Sequence, residues 1–294
     1  MQESALMKTE EVKYGPIKQS EEHILDRLDR LNKSKGLMDE KWRQNEIKII
    51  YQLLKEMILE SYKEAYNHSD EKFRIRWRLA MKKDFFDMER RGVWKVIKRS
   101  EVPKGRRCIK CKWVFDVKRD GRFRARLVAC GYSQIPGVDF VESYALVIND
   151  ITWRILLIMM ISKGYDARIV DVETAFLHGD LDEEIYMNCP PGLSSKEDEC
   201  LFLLKTIYGL VQAARQYYKK FTKALIEKGY EGGLVDPCLM MKKFKNKQLY
   251  LSIHVDDSLV IGPKWAIDRF FEDLKESGFG VTVESDLTDY LSCR

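Results

Sequence analysis

No stretch of this chain is apolar for long enough to cross a bilayer. The longest candidate, residues 155–161, falls far short of the roughly 20 residues that a spanning helix needs. Residues 1–20 are polar and mixed in charge, so neither a secretory signal nor a transit peptide is expected there. No internal repeat and no low-complexity tract is visible. The seven cysteines, an odd number, have no framework spacing, which argues against a disulfide scaffold and fits a reducing compartment. Cys108 and Cys111 form one CxxC pair, with Cys130 further on, but no second pair or well-spaced histidine completes the about four ligands of a zinc site. These cysteines read as strand residues. The expectation is an intracellular, non-secreted protein with no membrane partner.

What is present is enough hydrophobic content, 45% of 294 residues, for one large domain or two small ones. The net charge of +5 is unevenly placed. Residues 104–126 carry ten Lys or Arg, among them Lys118, Arg124 and Arg126, against Asp116 and Asp120. Such a run is usually a solvated face. Here Trp113, Val114, Phe115, Val117, Phe123, Leu127 and Val128 interleave with it. That pattern predicts ribbon-like strands with one packed and one cationic face, suited to phosphates.

The helical spacing of Ile24, Leu25, Leu28 and Leu31, and of Ile47, Ile50, Leu54, Met57 and Ile58, predicts two amphipathic helices broken at Gly36. Residues 1–59 therefore read as a helical N-terminal extension and 60–294 as the principal domain. A third helix is expected over about 70–91, with Trp77, Met81, Phe85 and Met88 on one face and Gly92 past its end. Strands follow near 94–97, 112–117 and 123–129, with Asp120-Gly121 as a hairpin turn. Asn149 or Asp150 caps a buried helix running through Lys163. Beyond it the pattern predicts a strand over 167–172, a short helix, strands near 184–188 and 201–204, and a helix over about 212–228. Strands over 239–244, 249–255 and 258–261, a helix over 264–276 and a strand near Val281 complete the chain. That order is α+β, with antiparallel hairpins rather than repeated βαβ units.

Within QLYLSIHVDDSLVIG, residues 248–262, strong strand formers flank the adjacent Asp256 and Asp257. Strand interiors disfavour Asp, and neighbouring like charges repel. A hairpin turn would relieve the first problem and a divalent cation the second. Asp171 ends a second buried-looking strand, Ile169-Val170-Asp171-Val172. Three such carboxylates make a Mg²⁺ site chemically reasonable, with water and substrate phosphates as the remaining ligands.

From about residue 60 to 290 the chain resembles the reverse transcriptase domain of copia-type LTR retrotransposons, with many blocks in family order. They include KWVFDVKRDGRFRARLVACGYSQIPGVDFVESYALV (112–147), DVETAFLHGDLDEEIYMNCPPG (171–192), LKTIYGLVQAARQYY (204–218) and IHVDD (253–257). The resemblance implies a right-hand polymerase: fingers, and a ferredoxin-like palm whose antiparallel sheet has helices on one face. It implies that Asp171, Asp256 and Asp257, with the carbonyl of Val172, hold two Mg²⁺ ions, for which Mn²⁺ can substitute. It implies that Lys118, Arg124 and Arg126 meet the incoming triphosphate, and that Gln212 rests on the nucleotide. It implies that Phe176 falls at the steric gate that excludes a ribose 2′-hydroxyl. The implied activity is RNA-directed DNA synthesis on a template-primer with dNTPs, in the cytoplasm (as a virus-like particle) or the nucleus. Self-association or other element-encoded proteins are further implied partners.

Plainer readings stand beside these. Phe176 also fits a core position, Gln212 could cap the following helix, and His178 and His254 read as structural. The chain departs from the family pattern at Cys130, Leu146, Val211, Ala214 and His254, none of them an expected metal ligand. The resemblance also leads to the expectation of an end before the thumb and RNase H segments. An inactive relic that binds nucleic acid is therefore the alternative to an active polymerase.

Overall fold

The structure, a computed structural model, describes residues 30, 41–48, 59–118 and 121–284. The chain divides into two compact units, one of residues 1–84 and 113–126, the other of 85–112 and 127–294. The sequence boundary at 59/60 falls inside the first unit. Most of the predicted N-terminal helices lie outside the described residues; 41–48 are helical, and Ile47 on them is exposed.

In the first unit, a short helix α1 (Tyr62–Tyr66) is capped by Ser61, whose hydroxyl accepts from the Glu64 N–H. Helix α2 (Glu71–Arg90) starts where the Asp70 carboxylate accepts from the Lys72 and Phe73 N–H groups at 2.8 and 3.2 Å. Trp77, Met81 and Met88 are buried along one face of α2, as their spacing predicts. Strands β3 (Cys111–Val117) and β4 (Phe123–Ala129) form a two-stranded ribbon. The turn between them is closed by Lys118 N–H to Arg122 and Gly121 N–H to Lys118. Trp77 meets Phe115 and Phe123 edge to face at 5.2 and 4.3 Å, which fixes the packed side of the ribbon. On β4, Ala125, Leu127 and Ala129 are buried while Arg124 and Arg126 alternate to the other face.

The second unit holds two sheets. A four-stranded sheet runs in the order β1 (Trp94–Lys98), β7 (Glu199–Lys205), β6 (Asp180–Asn188), β2 (Cys108–Ile109). The larger, six-stranded sheet has the order β12 (Val281–Glu284), β5 (Asp166–Val172), β11 (Asp257–Gly262), β10 (Lys247–His254), β9 (Leu239–Phe244), β8 (Glu231–Gly232). All of its pairings are antiparallel. Three helices serve it: α3 (Asp150–Lys163), α4 (Ala213–Glu227) and α5 (Lys264–Glu276). Among the described residues no helix is long and apolar enough to cross a membrane.

The pleat divides the residues of the large sheet between two cores. Val170, Val172, Leu249, Leu251, Ile253 and Val260 pack with Tyr217, Phe221 and Leu225 of α4 and Ile267, Phe270 and Leu274 of α5. Ala167, Ile169, Tyr250, Leu259 and Ile261 point the other way and pack with Leu156 of α3 and its half-buried neighbours Leu157, Met159 and Met160. The expectation of helices on one face is therefore corrected: α3 covers part of the opposite face.

A second correction concerns α3 itself. Asn149 caps it, accepting from the Ile151 N–H at 2.9 Å. The sequence leads to the expectation of a buried helix, since residues 155–161 are all apolar. Yet Ile151, Ile155, Ile158 and Ile161 are 68%, 50%, 67% and 77% exposed. Hydrophobic content around the whole helix hid which side meets the sheet, and only the side of Trp153 and Leu156 does.

Candidate active site

Strand formers carry the acidic residues to one end of the large sheet. Tyr250, Leu251, Ser252 and Ile253 zip against Ile261, Val260, Leu259 and Ser258, and the ladder closes at His254 opposite Asp257. Residues 255–256 form the two-residue turn, so Asp256 sits at the tip. Val255 takes φ 56°, and Thr174, just past β5, takes φ 52°. A β-branched side chain is poorly accommodated there, at a cost of order 1–3 kcal/mol each. Two strained residues thus flank the acidic end.

The register of β11 on β5 sets Asp257 directly opposite Asp171. Thr282 of β12 faces Asp171 from the other side. By the alternation of side chains, Asp171, Asp257 and His254 share the face on which α3 packs, but α3 covers the Ala167 end of the strands rather than the Asp171 end. Asp257 is exposed, and Asp171 and Asp256 are half-buried. Val172 is buried and register-paired with Val281. Among the described residues no three carboxylate, imidazole or thiol groups converge closely enough to hold a metal ion by themselves. The donor set nevertheless suits Mg²⁺, which usually keeps several waters and takes one or two carboxylates plus substrate phosphates.

Phe176 follows in a 3₁₀ turn, Ala175–His178. It is half-buried and meets Tyr208 at 4.9 Å and Tyr217 at 6.3 Å, both edge to face. Tyr217, on α4, has a fully buried hydroxyl with no hydrogen-bond partner among the described residues. Burial pushes its pKa well above the usual value, and the negative charges of Asp256, Asp171 and Asp257 push it further. The stripe Ala213, Tyr217, Phe221, Leu225 marks Tyr217 in sequence as a core residue. Nothing in that spacing brings it near the carboxylates.

Gln212 is fully buried. Its side chain makes no capping bond to α4. Instead its Nε2 donates to the Asp139 carbonyl at 2.9 Å and to Glu183 Oε2 at 3.2 Å, while its Oε1 accepts from Gln134 Nε2 at 3.0 Å. Gln134 Oε1 in turn accepts from the Val211 N–H at 2.8 Å. The amides clamp the loop after β4 to the turn before α4, and in this conformation Gln212 has no surface open to a nucleotide. Gly131 and Gly209 permit the clamp: a Cβ on Gly131 would lie 2.1 Å from the Gly209 carbonyl oxygen. The sequence reading missed Gln134, Asp139 and Glu183, because residues 5, 29 and 78 positions apart show no spacing pattern.

His178 is buried, stacked on Phe279 at 4.5 Å, with Arg91 Nη1 3.3 Å from its Nδ1. Burial and then the Arg91 charge push its pKa down to about 4, so the ring is neutral at pH 7. Lys118, Arg124 and Arg126 belong to the β3–β4 ribbon of the first unit, each half-buried.

The antiparallel sheet thus ends in opposed carboxylates beside a strained acidic hairpin. Residues 91–293 match the family described as reverse transcriptase (RNA-dependent DNA polymerase). The chain is 38% identical over 227 residues to the retrovirus-related Pol polyprotein from transposon TNT 1-94 of Nicotiana tabacum, covering 74% of this chain and 17% of that protein. It is 33% identical over 223 residues to the corresponding polyprotein from transposon RE2 of Arabidopsis thaliana, covering 74% of this chain and 15% of that one. A truncated transposon Ty1-A Gag-Pol polyprotein of Saccharomyces cerevisiae is 29% identical over 205 residues, 68% of this chain and 17% of the relative. The chain belongs to the reverse transcriptase family, as the reverse transcriptase domain of copia-type retrotransposon Pol polyproteins. It spans only 15–17% of the length of these relatives.

Proposed function

We propose that this domain is an RNA-directed DNA polymerase that extends a primer 3′-hydroxyl on an RNA or DNA template with dNTPs. The observation that carries the reading is the register of Asp171 opposite Asp257, with Asp256 in the adjoining turn. The strands would otherwise suffer by holding like charges face to face. In this reading the six-stranded sheet is the palm, and the β3–β4 ribbon and the four-stranded sheet contribute to the fingers.

Asp171, Asp256, Asp257 and the Val172 carbonyl would hold two divalent cations, which when bound supply Lewis-acid activation of the attacking oxygen and charge neutralisation at the leaving pyrophosphate. The chain's own residues do the rest. Lys118, Arg124 and Arg126 give the ribbon cationic donors suited to phosphate oxygens, Arg offering paired N–H donors. Phe176 lies against the sugar of the incoming nucleotide, where bulk excludes a 2′-hydroxyl. Gln212 serves the nucleotide site indirectly, by holding the turn that carries Tyr208.

The test is incorporation of dNTPs on an RNA template with a DNA primer, in Mg²⁺ and then Mn²⁺, beside the double variant Asp256→Ala/Asp257→Ala. Incorporation that the variant lacks supports the reading. Equal incorporation by both proteins, or none from folded chain that still binds primer–template, would overturn it.

A further inference from the structure

Next to the acidic end of the sheet, the turn leading into α4 presents the ring of Tyr208 to Phe176. The rings meet edge to face with centroids 4.9 Å apart and planes at 84°, an arrangement worth more than area burial alone. Both are half-buried, so each keeps an open side.

The backbones on both sides of this contact are tied down. The Phe176 carbonyl accepts from the Thr206 hydroxyl and from the Gly179 N–H at 3.2 Å. The Tyr208 carbonyl accepts from the Ala129 N–H at 2.8 Å. Gly209 approaches the same strand so closely that a Cβ would lie 2.2 Å from the Ala129 carbonyl oxygen. Two residues on, the Val211 N–H is held by Gln134. A ring excludes an added hydroxyl only as well as its neighbours stop it from swinging aside. Tyr217, the other ring against Phe176, is more distant at 6.3 Å.

We propose that Tyr208 is a specificity-determining positioning residue, its clamped ring holding Phe176 in the orientation that rejects nucleotides carrying a 2′-hydroxyl. The inference rests on the proposed placement of Phe176 at the sugar of the incoming nucleotide. The edge-to-face contact with Phe176 is made by the ring of Tyr208. Phenylalanine should therefore substitute for it, and a small or flexible side chain should not.

The experiment compares the next complementary dNTP with the matching rNTP on the purified chain bound to primer–template. It reads both the nucleotide concentration that stabilises the ternary complex in a gel shift and the incorporation ratio. Tyr208→Phe should keep wild-type selectivity within about twofold, while Tyr208→Ala and Tyr208→Leu should lower it by about tenfold or more, the scale of a lost pocket wall. Phe176→Ala serves as the reference for a removed gate, and a melting curve shows which variants fold. If Phe176→Ala loses selectivity and folded Tyr208→Leu or Tyr208→Ala keeps it, Tyr208 does not position the gate and the proposal is overturned. If Phe176→Ala itself keeps selectivity, the gate reading falls and this inference falls with it. Loss in both, with Tyr208→Phe intact, supports it.

Discussion

Replacing Asp257 by Asn removes one of two negative charges that β5 and β11 hold face to face. Opposed residues of an antiparallel pair have Cα atoms about 4.5–5.5 Å apart. Like charges at that distance repel by about 1 kcal/mol in water and about 3 kcal/mol at the effective dielectric near a protein surface. Asp257 is exposed and Asp171 half-buried, so solvent screening favours the smaller figure. D257N should therefore stabilise the cation-free protein by about 1 kcal/mol, or ~2–4 °C in Tm for a domain of this size. Added Mg²⁺ should raise the Tm of the unaltered chain more than that of the variant, because a cation that binds only the folded state stabilises it by mass action. Thermal denaturation followed by circular dichroism, in EDTA and in Mg²⁺, measures both effects. A variant that melts lower than the parent in EDTA, with equal Mg²⁺ shifts for both proteins, would refute the reasoning.

Three further outcomes are expected. His178 is held neutral, so an unfolded chain, with its pKa near about 6.5, takes up a proton that the folded state refuses as pH falls. Its contribution is complete above about 6.5 and shrinks by up to about 3 kcal/mol as pH drops toward about 4. Urea midpoints at pH 7 and 5 should differ less for His178→Gln, and an identical loss in both proteins would count against the buried ring. Gln212→Leu removes the acceptor of the Gln134 Nε2 bond at 3.0 Å, leaving Gln134 Nε2 its 3.5 Å bond to the Asp139 carbonyl, and takes the 2.9 Å donor from that carbonyl, costing about 1–3 kcal/mol in urea denaturation; an unchanged midpoint would mean that the clamp adds nothing to stability. Ile158→Lys, although in the most hydrophobic helix, should change stability by no more than about 0.5 kcal/mol, and a loss of several kcal/mol would show that this face is covered.

The elements that were legible in sequence are those in which period, cap and turn chemistry agree. Helix α5 coincides with the predicted 264–276, β9 with 239–244 and β4 with 123–129. Asp70 and Asn149 lie at helix starts because short polar side chains there satisfy backbone N–H groups that the helix leaves open. Where the period was flat, reading failed. Residues 155–161 of helix α3 are all apolar, so no polar side marked off its packed face from the exposed isoleucines.

The alternation that builds the cationic ribbon and the order of strands and helices follow from neighbours a few positions apart and are written in the chain. That Asp171 stands opposite Asp257, 86 positions on, is a matter of folding, since strand pairing is set by which long-range register buries both faces of the sheet. Folding also decided that Gln212 is enclosed by Gln134, Asp139 and Glu183, and that Tyr208 backs Phe176. Those contacts join residues whose separation in the chain carries no period. They exist because buried polar groups and rings must find partners wherever packing brings them.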